Sequence, residues 1–158
     1  LEYLHPDDSF PVRATMEHLI EAIGREGPVF VYSSYEQTVL KKSEQWLPDL
    51  AGPLQAIRER LVDLCKIAGD HYYHPAMHGS WSIKKVLPTV APDLSYKGFK
   101  LVKDGDSAQA AYMQMIDSET PPETRAALRQ ELLDYCRLDS LAMVRVAEYL
   151  ECGSTLSK

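Results

Sequence analysis

From Thr120 to about Glu151 the chain reads as a long helical region, with Leu128, Leu132, Tyr135, Asp139, Ala142 and Val146 recurring at three- and four-residue steps. Thr120-Pro-Pro-Glu123 opens it as a capping box with proline at the first helical position. So long an apolar face has to be covered by the rest of the chain, and within it stands a carboxylate, Asp139. A buried carboxylate without a partner is costly, so its position calls for one. If the helix breaks near Arg137, Asp139 caps the helix that follows. Otherwise a divalent metal is the natural partner, with Tyr135 one turn away to hydrogen-bond a water or phosphate oxygen beside it.

Upstream, Asp8 or Ser9 can cap a helix from Pro11 whose Met16, Leu19, Ile20 and Ile23 share one face, ended by Gly24 to Gly27. Pro28-Val-Phe-Val-Tyr32 reads as a buried, central strand. It runs into Ser34, which with Gln37 forms a capping box for a second helix and places Glu36 in that helix's first turn, beyond the carboxyl end of the strand. Ligands bind at that edge of α/β sheets, although the helix dipole alone also favours an acid there. Leu54, Ile57, Leu61, Leu64 and Ile67 predict one helix over 53–68, carrying Asp63 among its apolar residues. Residues 71–79 are irregular, Ser80 or Ser82 can cap a short helix ending before Pro88, and Asp106 can cap another running to Ile116. Leu-Glu-Tyr-Leu at the start alternates like the tail of a strand. One strand amid many helices suggests an α/β domain lacking part of its sheet.

The 158 residues fit a single domain, and no apolar run approaches the ~20 residues of a membrane span. Cys65, Cys136 and Cys152 form no Cys-x-x-Cys, and no leader-like segment opens the chain, so a soluble cytoplasmic protein is expected. A formal charge of −6 argues against broad binding to a polyanion. Locally, however, Lys84, Lys85, Lys97, Lys100 and Lys103 face only Asp93, which is either a solvated loop or a surface for phosphate. His71, His74 and His78 could ligate a transition metal, and a zinc hydrolase built on them is one hypothesis, but Pro75 and Gly79 break the helix that would align them. They could also sit beside Lys84 and Lys85 on phosphate. Cys136 reads as core, and Trp81 as packing or as a platform for a base.

Tyr135-Cys-Arg-Leu-Asp139 resembles the Tyr-x-x-x-Asp third motif of the DEDD 3′–5′ exonucleases, which have an RNase H-like fold. Val-Phe-Val-Tyr-Ser-Ser-Tyr-Glu36 is similar to their second motif, with Ser33 in place of asparagine and Glu36 in place of aspartate. Asp63 resembles the aspartate that follows it in many members. The chain also looks like an uncharacterised bacterial domain family related to these enzymes, through Gly79-Ser-Trp-Ser-Ile-Lys-Lys-Val-Leu-Pro88 and Leu94-Ser-Tyr-Lys97.

This resemblance implies an RNase H-like α/β domain in which helices dominate the covered part. It also implies two-metal phosphodiester hydrolysis with Mg²⁺ or Mn²⁺ on single-stranded nucleic acid or nucleic acid ends. Glu36, Asp139 and Asp63 would be metal ligands, Tyr135 and Asp139 catalytic, and Ser80, Lys84, Lys85 and Lys97 contacts to nucleic acid. The family's first motif, Asp-x-Glu on an opening strand, has no counterpart before Glu36. The expectation is therefore a domain whose opening strands lie upstream, unable to complete the metal centre alone. The alternative is a non-catalytic module that keeps the fold and binds nucleic acid or protein.

Overall fold

The computed structural model describes residues 2–102 and 104–152. Seven α-helices and two three-residue strands form among them: α1 (Val12–Ile23), β1 (Val29–Val31), α2 (Tyr35–Trp46), α3 (Ala51–Arg58), β2 (Leu61–Asp63), α4 (Leu64–His71), α5 (Ile83–Val90), α6 (Gly105–Ile116) and α7 (Pro122–Cys152). Strand β1 pairs in parallel with β2, in the register Val29 to Leu61, Phe30 to Val62 and Val31 to Asp63.

This corrects the expected fold. A helix-dominated domain with a two-stranded sheet is not an RNase H-like α/β domain, because the sheet that would form the layer between helices is all but absent. Helix-on-helix packing replaces it. Met16, Leu40, Leu47, Leu54 and Ile57 bury one cluster among α1, α2 and α3. Met115 and Ala111 of α6 meet Leu128, Leu132 and Tyr135 of α7 in another. Val86 and Leu87 of α5 close onto Val146 and Ala142 farther along α7. Buried at about 25 cal/mol per Å², such side chains stabilise by roughly 1.5–3 kcal/mol each before conformational entropy is set against them.

Helix α7 runs its 31 residues without a break, about 46 Å at 1.5 Å per residue. Asp139 is therefore in mid-helix and caps nothing. The helix expected over 53–68 is divided into α3, β2 and α4, because Arg58-Glu-Arg60 turns the chain. Arg60 closes that turn by donating to the carbonyls of Gly24, Glu26 and Gly27, and its own carbonyl accepts the Val29 N–H at 3.0 Å. Several caps also differ. α1 has no side-chain cap, and Asp7 accepts from Ser9 instead. Ser34 makes no cap bond, while Ser33 Oγ accepts the Tyr35 N–H. Asp104 and Ser107, not Asp106, form the capping box of α6. The Thr120 hydroxyl donates to the Gln114 carbonyl. Pro88 lies inside α5. Residues 2–4 form no strand, and Leu1 and Lys103 are outside the described residues.

Candidate functional site

Asp139 does find a partner, in a residue from a loop 43 positions away in the chain. The Tyr96 hydroxyl donates to its Oδ1 at 2.6 Å. Tyr96 begins a single 3-10 turn (Tyr96–Gly98) between α5 and α6, which starts where Ser95 Oγ accepts the Lys97 N–H. Tyr135, only 7% exposed, lies one turn before Asp139 on α7. Its ring is 5.8 Å from that of Tyr96 and meets Phe99 edge-on at 5.5 Å. From α5, the Lys84 ammonium stands 5.4 Å from the centroids of both tyrosine rings, close enough for a cation–π attraction to each.

Burial pushes the Asp139 carboxyl above the usual aspartate range, against the opposing pull of the Tyr96 hydrogen bond and the Lys84 charge. The Tyr96 phenol is pushed up by burial and then by its bond to Asp139. Asp139 can therefore hold or yield a proton within reach of a lysine and a phenol, and the lysine gives an anion a counter-charge at the same spot.

Two further groups of hydrogen bonds hold this arrangement together. Glu131, two turns before Asp139 on α7, accepts the N–H groups of Lys100, Leu101 and Val102 on one carboxylate oxygen, which ties the loop carrying Tyr96 to the helix. Tyr32, directly after β1, donates its hydroxyl to the Trp81 carbonyl at 2.9 Å, and the Cys65 thiol donates to the same oxygen at 3.6 Å. The start of α5, and Lys84 with it, is thereby fixed against the carboxyl end of the two strands.

The sequence-predicted residues do not all meet here. Asp63 ends β2 and caps α4, its Oδ1 accepting from Cys65 N and Lys66 N. Glu36 lines a separate apolar cavity of about 270 Å³ whose lining contains none of Lys84, Tyr96, Tyr135 or Asp139. Lys85 and Lys97 are exposed on α5 and on the 3-10 turn, and Ser80 Oγ accepts the Ser82 N–H. His74 accepts the Ala76 N–H, and His78 takes a left-handed backbone conformation. Cys136 is exposed rather than core. Trp81 donates its indole N–H to the Tyr72 carbonyl, a packing role. Tyr96 and Glu131 were missed as site residues. The only signal for either was the Leu94-Ser-Tyr-Lys97 stretch, since their roles depend on pairing across the chain.

A divalent cation needs several oxygen ligands. Among the described residues no three His, Cys, Asp or Glu side chains converge on a point that could hold one. Asp63 and Asp139 each have one oxygen engaged by protein donors. The described residues therefore present no ready ligand set for Mg²⁺ or Mn²⁺. Among them, too, no helix is long and apolar enough to cross a membrane.

Neither curated proteins nor solved structures yield a match to the chain. One family model does match, over residues 1–82, a span that contains α1 to α4 and both strands and ends just before α5. The chain belongs to the family described as a domain of unknown function, DUF2779.

Proposed function

We propose that the domain receives a nucleic-acid strand or strand end at the site formed by Lys84, Tyr96, Tyr135 and Asp139, and serves phosphodiester hydrolysis in the protein that carries it. The observation that supports this most is the half-buried Asp139 carboxyl, held by Tyr96 and faced by Lys84 in a wall of aromatic rings. Lys84 attracts the phosphate, with Lys85, Lys97 and Ser80 extending the contact along the strand. Tyr96 and Tyr135 hold Lys84 over their rings, and of the two the half-buried Tyr96 is the one whose ring can be reached by a base. Asp139 holds a proton, or accepts one, beside the bound phosphate. The kinship with DEDD exonucleases belongs to this proposal and rests on the Tyr135-x-x-x-Asp139 spacing. The test is degradation of a 5′-labelled single strand in the presence of Mn²⁺ by the protein at its full cellular length, beside its Asp139→Asn variant. Laddering lost in the variant supports the proposal, and laddering unchanged in the variant sinks it.

A non-catalytic binding module is the second reading. It is favoured by the carboxylates already engaged within the protein, Asp139 by Tyr96 and Asp63 by the start of α4. Strand binding without cleavage by both proteins would select it.

A further inference from the structure

Strand β1 has one partner among the described residues, and its pairing geometry shows what its other edge offers. In a parallel ladder alternate residues turn both backbone polar groups to the same neighbour. The Val29 N–H donates to the Arg60 carbonyl of the β2 side, so Val29 and Val31 serve that ladder. The N–H and C=O of Phe30 point the opposite way, along an edge that no described strand covers. A two-stranded parallel sheet is an unusual end point, since such sheets are normally flanked on both edges and faces.

The surroundings of that edge are equally unfinished. The 270 Å³ cavity holding Glu36 is lined by all three residues of β1 and otherwise by apolar side chains such as Met16, Leu19, Val39 and Leu61. Glu36 Oε2 is buried there with no hydrogen-bond partner. A buried carboxylate oxygen in an apolar wall calls for a donor, preferably a charged one. Around Phe30, a second cavity of about 510 Å³ is lined by Phe30, Leu64, Ile67 and Val144. Phe30 and Val144 are 43% and 49% exposed.

We infer that the free edge of β1 docks an extended peptide segment bearing a lysine or arginine. Its backbone pairs with Phe30, its basic side chain lies along the apolar cavity to reach Glu36, and its flanking apolar residues cover Phe30 and Val144. Main-chain pairing supplies the affinity, and the alternating side chains supply the specificity. A basic residue also complements a chain of net charge −6. This site is independent of Lys84 and Asp139.

The test titrates the ¹⁵N-labelled chain with the peptide Ac-Thr-Val-Lys-Val-Thr-NH₂, with the same peptide carrying norleucine for lysine, and with one N-methylated on its backbone. The expected result is a concentration-dependent shift of the Phe30 amide, roughly tenfold weaker binding of the norleucine peptide, and no binding of the N-methylated peptide. Glu36→Gln should erase the difference between lysine and norleucine. No shift at Phe30 up to millimolar peptide, or equal affinities for lysine and norleucine peptides, overturns the inference. Undiminished binding of the N-methylated peptide does so as well. The three peptides are compared on the unaltered protein, so they decide the inference even if Glu36→Gln fails to fold.

Discussion

The hydroxyl of Tyr96 donates to Asp139 Oδ1 at 2.6 Å, joining the loop after α5 to the middle of α7. Without that bond the carboxylate would be half-buried beside Lys84 with no hydroxyl donor. Replacing Tyr96 by Phe removes only the oxygen, so it should destabilise the fold by about 1–3 kcal/mol, the usual cost of a buried polar group left unsatisfied. Urea denaturation at neutral pH measures this. An unchanged midpoint would mean that solvent already satisfies Asp139.

Asp139 itself should make stability depend on pH in an unusual direction. Its carboxyl is raised in the folded protein, chiefly by burial. The folded state therefore binds the proton more readily than the unfolded state does, so stability rises as pH falls through the folded value and levels off below the unfolded one. Asp139→Asn removes this titration and keeps an acceptor for Tyr96. The variant should be more stable than the parent at pH 7, and the difference should shrink toward zero below about pH 4, near the ordinary aspartate value. Paired urea curves at the two pH values decide it, and a gap that widens on acidification would refute it.

Glu131 should behave in the opposite sense. Burial works to raise its carboxyl, yet the three N–H groups of Leu101, Val102 and Lys100 together hold it below the usual range. Its contribution is present above the unfolded value and is lost as pH falls through the lowered one. Glu131→Ala should cost about 0.5–1.5 kcal/mol, the net worth of an ordinary hydrogen bond, since water can reach the freed Lys100 and Leu101 N–H groups, and should loosen the loop that carries Tyr96. Hydrogen exchange at Lys100, Leu101 and Val102 should accelerate in the variant, and unchanged protection would count against the tie.

Lys84 tests the proposed nucleic-acid contact without altering the packing of its stem. Lys84→Met should weaken single-strand binding and lower the steepness of its salt dependence by roughly 0.7, one phosphate contact's worth. Fluorescence anisotropy across a salt series reads both, and an unchanged slope would remove Lys84 from the contact surface.

Asp63 separates capping from metal ligation. Asp63→Asn keeps an acceptor at the start of α4 and should leave stability nearly unchanged, while Asp63→Ala should cost about 1 kcal/mol. If strand cleavage by the full-length protein fell with Asp63→Asn at constant stability, the aspartate would have a role beyond its cap.

Periodicity located α1 and the inward face of α7, and a continuous apolar run located the strand at Val29–Val31, although Phe30 in it is exposed rather than buried, because each signal depends on side chains along one segment. It failed at 53–68, where Leu54, Ile57, Leu61 and Leu64 fit a helix yet Leu61–Asp63 pairs with β1. A strand's partner is remote in sequence, and three residues are too few to show a period of two. The same limit hid Tyr96 from Asp139 and the Lys100 to Val102 backbone from Glu131.

The amino-acid sequence by itself determined that a carboxylate would lie on the apolar side of a long helix, since 3.6 residues per turn puts Asp139 in line with Tyr135 and Ala142. Only the tertiary structure decided what that carboxylate meets and how much sheet surrounds it. The choice among water, backbone, metal and phenol depends on which distant segment closes over the helix, and here that segment is the loop bearing Tyr96, packed down by Tyr135, Phe99 and Lys84.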